Sequence, residues 1–190
     1  MNALILVVIL ALVEGITEFL PVSSTGHMIL VNKLIGGEYL APTFTNSFLI
    51  IIQLGAILSV VVYFWKDLTP FVGTKEKFVL RFRLWVKIIV GVIPAMVIGL
   101  FLDDIIDKYF MDNVTTIAIT LIVYGIIFIA IEVIYKIKNV KARVRNFSDL
   151  KYGTAFLLGF FQCLAMIPGT SRSGATIIGA LLLGLSRPLA

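Results

Sequence analysis

Three stretches of this sequence are almost entirely apolar: Ser47 to Trp65, Leu84 to Leu102 and Val114 to Tyr135. Crossing the hydrocarbon core of a bilayer takes ~20 apolar residues in an α-helix, so each stretch is predicted to be a transmembrane helix. The ends of the chain are patterned differently. Near the N-terminus an apolar run, Ala3 to Val13, is followed by Glu14 and Glu18, a break at Pro21, and a shorter run from Met28 to Ile35. Near the C-terminus Tyr152 to Ile167 carries Gln162 in its interior, breaks at Pro168 and Gly169, and resumes from Ile177 to Leu185. Neither pair is long enough for two full crossings. Each predicts two half-length helices meeting at a polar tip, a re-entrant hairpin, with non-helical backbone tolerated at membrane depth because protein or a wet cavity surrounds it.

The two tips resemble one another. The first reads EFLPVSSTGH and the second CLAMIPGTSRSGAT, with a serine three residues after the proline in both, Ser24 and Ser171. Aligning Glu14 with Gln162 then needs a gap of one residue. Three crossings separate the hairpins, an odd number, so they enter from opposite faces. That is the signature of an inverted repeat, which puts discontinuous helices and their binding site near the midplane. The expected fold is an all-α polytopic membrane protein with an inverted-topology repeat and two re-entrant hairpins. Its single membrane domain divides into a first hairpin (1–46), three transmembrane helices (47–135), a basic loop (136–151) and a second hairpin (152–190).

Composition agrees with a bilayer as solvent: of 190 residues, 59% are hydrophobic and 14% charged, and the mean hydropathy is +1.05. A soluble domain of this size could not hide so much apolar surface. A cleavable signal peptide would carry positive charge ahead of its apolar core, whereas the first Lys or Arg here is Lys33, so residues 1–20 are expected in the mature protein. The single cysteine, Cys163, excludes an internal disulfide and a thiolate metal cluster. A net charge of +5 raises nucleic acid as a partner, but the distribution of charge argues against it. Five basic and two acidic residues lie between Lys66 and Arg83, six and one between Lys136 and Lys151, while Asp103 to Asn113 is acidic. Positive loops stay in the cytoplasm, which orients the three helices inward, outward and inward, and leaves anionic lipid as a secondary partner.

Glu14 and Glu18 are four residues apart and share a helix face. Ionisable residues at membrane depth are costly and functional by default, and two neighbouring carboxylates call for a cation or a hydrogen-bond donor between them. They are candidate ligands for a hard divalent cation, Mg²⁺ or Ca²⁺, or one of them orients His27. Ser23, Ser24, Thr25 and His27 follow. A hydroxyl becomes a nucleophile beside a base that a third group orients, although Ser and Thr also cap helices. In the second tip, Gly169, Ser171, Arg172, Ser173 and Thr176 precede a helix. Backbone N–H groups at a helix N-terminus, hydroxyls and a guanidinium together make an anion clamp. A snorkelling role at the membrane surface suits Arg187 better than Arg172.

The stretches EGITEFLPVSSTGH, FLIIIQLGAILSVVVYFW and IPGTSRSGATI resemble the undecaprenyl-pyrophosphate phosphatase family, bacterial membrane enzymes linked to bacitracin resistance. The similarity runs along essentially the whole chain. It implies hydrolysis of undecaprenyl pyrophosphate to the monophosphate, recycling the carrier for peptidoglycan synthesis, from a site open to the outer face of the plasma membrane. It also implies catalytic roles for Glu14 and Glu18, a Ser/His element at Ser24, Thr25 and His27, a phosphate-binding loop at Ser171, Arg172, Ser173 and Thr176, and a role for Gln53. Members of the family continue past LGLSRP into further helices, so a chain ending at Ala190 is expected to be truncated. A homodimer is left open.

The expected mechanism has Ser24 attacking the terminal phosphorus with His27 as base, oriented by Glu18 or Glu14, and Arg172 holding the transferring group. Thr25, His27 and an activated water stand as alternative nucleophiles. Lipid-phosphatase-type acid phosphatases combine an SGH-like element with a second His, but this chain has one His and Ile178 stands where the second would fall. The rival from another class is a transporter or flippase, since broken helices around an anion site also describe carriers.

Overall fold

The computed structural model describes residues 3–35, 42–71, 73–110, 113–138 and 141–190, with the side chains of 42–46, 103–105 and 107–110 outside the description. These residues are helical apart from their connections, and the extended pairing among them is one isolated parallel bridge, Val144 to Leu185. Among the described residues eight α-helices run in the order α1 (Ala3–Thr17), α2 (Ser24–Ile35), α3 (Pro42–Tyr63), α4 (Trp65–Leu68), α5 (Lys75–Phe110), α6 (Val114–Lys138), α7 (Tyr152–Cys163) and α8 (Arg172–Leu182). Short 3₁₀ turns cover Phe147–Asp149 and Leu164–Met166.

The helix breaks fall where the sequence predicts them. Proline has no N–H and clashes with the preceding turn, and both Pro21 and Pro168 lie in the connections between half-length helices. The serine register differs from the expected pairing. It is Ser23 whose Oγ accepts from the N–H of Gly26, 3.3 Å away, as Ser171 Oγ accepts from Gly174 at 3.1 Å. The capping serines are therefore Ser23 and Ser171, not Ser24 and Ser171, because a cap bonds the N–H three residues on. In this register Glu14 and Gln162 each stand nine residues before their cap, and the one-residue gap disappears.

α5 is longer than expected. Its 36 residues run through positions read as basic and acidic loop, since Lys, Glu and Arg are good helix formers. At 1.5 Å per residue it measures ~54 Å, well beyond a ~30 Å hydrocarbon core, so its charged ends project past the apolar middle. The charge balance of Asp103, Asp104, Asp107 and Asp112 falls on residues or side chains outside the description.

Two helices, within Lys75–Leu102 and Val114–Lys138, are long and apolar enough to cross a membrane, and only 11% and 6% of their apolar windows are buried. A soluble core helix would be buried, and a signal sequence would lie at the N-terminus; these do neither. Leu100, Phe101, Ile126 and Ile129 present large apolar surfaces outward, which hydrocarbon tolerates and water does not. The described helices fit a helical membrane protein. The described part of the Ser47 to Trp65 helix, Ser47–Tyr63, is shorter.

Packing is tightest where small residues let backbones approach. Gly159 of α7 faces Gly91 O and the Pro94 ring of α5, leaving no room for a Cβ. Gly179 of α8 sits against the ring of Phe161 on α7. α1, α2 and α3 bury Leu6, Leu10, Met28 and Leu49, and Leu150, Ala180 and Leu185 form a second cluster. Lys87 is buried, its Nζ donating to Phe147 O at 2.6 Å and lying 5.8 Å from the centre of the Tyr152 ring.

Candidate active site

After α1 the backbone makes one more helical bond, Glu18 N–H to Glu14 O at 2.9 Å, then a tight turn closed by Leu20 N–H to Thr17 O at 3.2 Å. Ser23 adopts φ 66°, a left-handed conformation uncommon outside glycine. The Ser23 carbonyl accepts from the backbone N–H of His27 at 3.1 Å and lies 2.9 Å from His27 Nδ1. In the tautomer that satisfies this contact, Nδ1–H is the donor.

The second break is built from the other end of the chain. The hydroxyl of Thr120 on α6 lies 2.8 Å from Pro168 O, Gly169 turns left-handed at φ 90°, and Thr170 N–H closes onto Ile167 O at 3.0 Å. Ser171 then caps α8. The first N–H groups of a helix have no acceptor within it; that of Gly174 goes to Ser171 Oγ and that of Ala175 to Ser171 O. Those of Arg172 and Ser173 have no acceptor among the described residues. Ser171 Oγ and Ser173 Oγ are 3.1 Å apart. The Arg172 guanidinium is exposed, with no ion pair among the described residues.

The breaks touch. A Cβ on Gly26 would come within 3.3 Å of Gly169 Cα and 3.4 Å of Ile117, and one on Gly174 within 3.1 Å of Pro21 O. Between them lies a cavity of about 370 Å³. The first break contributes Thr17, Glu18, Ser23, Ser24 and Thr25; α3 contributes Gln53; the second half contributes Gln162, Thr170, Ser171, Arg172, Ser173 and Thr176. Ser24 Oγ donates to a Glu18 carboxylate oxygen, and Gln53 Nε2 donates to Thr25 Oγ1 at 2.8 Å. The cavity thus pairs a hydroxyl already bonded to a carboxylate with a guanidinium and two open N–H groups.

Nine of the residues singled out by sequence line this cavity: Glu18, Ser23, Ser24, Thr25, Gln53, Ser171, Arg172, Ser173 and Thr176. Three do not. Gly169 shapes the backbone. Glu14 is 1% exposed, and neither of its carboxylate oxygens has a hydrogen-bond partner among the described residues. His27 is not on the wall, and the expected Ser24–His27 pair does not form. Ser24 opens α2 and its side chain leans back toward the preceding turn, where Glu18 stands, while the imidazole folds onto the capping carbonyl. The Thr176 hydroxyl is within 3.0 Å of two carbonyls of its own helix, Arg172 O and Ser173 O. Arg187 lies elsewhere, paired with Glu132 at 2.8 Å on the surface. Thr17, Gln162 and Thr170 were absent from the expected set. Gln162 was visible as a lone amide in an apolar run, whereas nothing in the sequence marks Thr17.

A family model described as the bacitracin resistance protein BacA matches residues 7–190. The undecaprenyl-diphosphatase of Fusobacterium nucleatum is 82% identical over 185 residues, covering 97% of this chain and 70% of that protein. Undecaprenyl-diphosphatase 1 of Clostridioides difficile is 51% identical, covering 96% and 65%. That of Desulfitobacterium hafniense is 50% identical, covering 96% and 66%. The chain spans roughly two thirds of the length of these relatives. It belongs to the BacA family.

Proposed function

We propose that this BacA-family chain hydrolyses undecaprenyl pyrophosphate to undecaprenyl phosphate and inorganic phosphate, returning the lipid carrier to peptidoglycan synthesis. The observation that carries the proposal is one shared cavity lined by both Ser24, bonded to Glu18, and Arg172 with the first residues of α8. A carrier needs the anion clamp but has no use for a hydroxyl hydrogen-bonded to a base.

Ser24 Oγ attacks the terminal phosphorus as Glu18 takes its proton. The bond from that phosphorus to the bridging oxygen breaks, and the lipid monophosphate leaves with the electron pair. Water then cleaves the phosphoserine. Arg172 and the N–H groups of Arg172 and Ser173 hold the equatorial oxygens, where charge stabilisation matters most. Gln53 orients Thr25 at the cavity wall. His27 holds the Ser23 carbonyl and so the corner from which Ser24 projects.

Among the described residues no group of three or more His, Cys, Asp or Glu gathers as a metal site. Mg²⁺ commonly rests on one or two carboxylates plus substrate oxygens; Glu18 supplies a carboxylate on the cavity wall, and Glu14, one helical turn before it, has buried oxygens without a partner among the described residues. Glu14 and Glu18 would hold Mg²⁺ or Ca²⁺, which would neutralise charge on the pyrophosphate.

In a membrane, the two helix breaks are re-entrant tips of an inverted repeat, supported by the matched serine caps and the gap-free spacing of Glu14 and Gln162. The basic stretches face the cytoplasm and the cavity opens to the outer face of the inner membrane, with lipid around α5 and α6. Purified protein in detergent is expected to release phosphate from a polyprenyl pyrophosphate, and to lose this activity in Ser24→Ala and Arg172→Ala. Lipid movement across vesicles without phosphate release would overturn the hydrolase in favour of the carrier.

A further inference from the structure

We infer that Thr120, in the second turn of α6, is a positioning residue for the anion-binding loop; this rests on the phosphatase reading above. A threonine inside a helix ordinarily turns its hydroxyl to a carbonyl one turn back. Thr120 Oγ1 has two such carbonyls at 2.9 Å, Thr116 O and Ile117 O. It also lies 2.8 Å from Pro168 O, 48 positions along the chain. α6 can satisfy its own carbonyls through its backbone ladder. The Pro168 carbonyl belongs to a break and has no ladder, so the hydroxyl proton serves it best.

The consequence for the site follows within three residues. Gly169, the next residue, is left-handed and pressed onto α6, where a Cβ would meet the Thr120 side chain and come within 2.8 Å of Ile117 O. Ser171 then starts α8 and sets the direction of the free N–H groups of Arg172 and Ser173. Fixing the Pro168 carbonyl fixes the peptide between Pro168 and Gly169, and with it the aim of the clamp. Thr120 is not on the cavity wall, so it acts through the loop and touches no substrate.

The test is steady-state kinetics on the intact protein in detergent, with inorganic phosphate as competitive product probe. Thr120→Val keeps the shape and removes the hydroxyl. It is expected to raise KM and the phosphate inhibition constant about five- to tenfold, the worth of one buried hydrogen bond, with kcat changed less than about twofold. Thr120→Ser, which keeps the hydroxyl, is expected to stay within about twofold of wild type in both. Wild-type KM and inhibition constant in Thr120→Val would overturn the proposal, as would equal impairment of the Ser and Val variants, which assigns the effect to the methyl group. If Thr120→Val does not fold, the Ser variant decides: retained constants support the hydroxyl, and a rise beyond about twofold refutes it. Arg172→Ala runs in parallel; if it keeps wild-type phosphate release and phosphate inhibition and does not lose activity as expected, the anion-clamp reading itself fails, a result distinct from failure at Thr120 alone.

Discussion

Ser24 is hydrogen-bonded to Glu18 and not to His27, the partner expected from the sequence, and the proposed mechanism rests on that pairing. The residue types around the break were legible, because carboxylates and hydroxyls at bilayer depth are too costly to be ornamental. The pairing among them was not, because Glu18, Ser24 and His27 crowd into ten residues and spacing alone does not say which two side chains lean together. The hydrogen bond from Ser24 to Glu18 makes a specific expectation: Glu18→Gln and Ser24→Ala each lower kcat by ~10²-fold or more, the usual loss on removing a general base, and phosphate trapped on the enzyme maps to Ser24. Labelled phosphate recovered on Thr25 or His27 would refute the assignment. Arg172 makes a second. Lysine keeps the charge but loses the planar fork that matches phosphate oxygens, so Arg172→Lys is expected to raise KM by roughly tenfold while Arg172→Ala is worse, measured by phosphate release.

Among elements, the breaks at Pro21 and Pro168 were the most readable features and the ends of α5 the least. A proline between apolar runs has one reading, whereas a charged stretch such as Lys75 to Arg83 continues a helix as readily as it forms a loop. The serine register was misread by one because SSTG offers two adjacent serines, and only cap geometry distinguishes them. The second break is the more constrained. Gly169 is left-handed against the backbone of α6, so Gly169→Ala combines backbone strain of about 1–3 kcal/mol with a collision at Ile117. A fall in thermal unfolding temperature in detergent, larger than that of Gly15→Ala in open space, is the expected result. At α3, loss of the Gln53 to Thr25 hydrogen bond in Gln53→Leu is expected to raise KM roughly fivefold, with little change in unfolding temperature.

For the whole molecule, the apolar pattern sufficed for a membrane protein, and the long exposed faces of α5 and α6 agree with it. The meeting of the two breaks was an inference from likeness between EFLPVSSTGH and PGTSRSGAT; the contacts that enforce it, through Ile117 and Thr120, lie in a helix whose sequence carries no motif. The orientation proposed from charge is testable by labelling. With Cys163 replaced by Ala, a cysteine at Ser148 is expected to react with a membrane-impermeant maleimide only after lysis, and one at Asn113 in intact cells. The opposite pattern would invert the topology.

The contact between Gly26 and Gly169 also has a meaning in time. The two halves of the cavity are separated by about 150 residues, and at ~5–20 residues per second the ribosome takes roughly 8 to 30 s to supply the second after the first. On the re-entrant reading proposed above, the nascent first break holds Glu18 and Ser24 at membrane depth through that interval, without the loop that meets it. On that reading the site is completed last, when Pro168 and Gly169 reach Thr120 and Ile117 of α6.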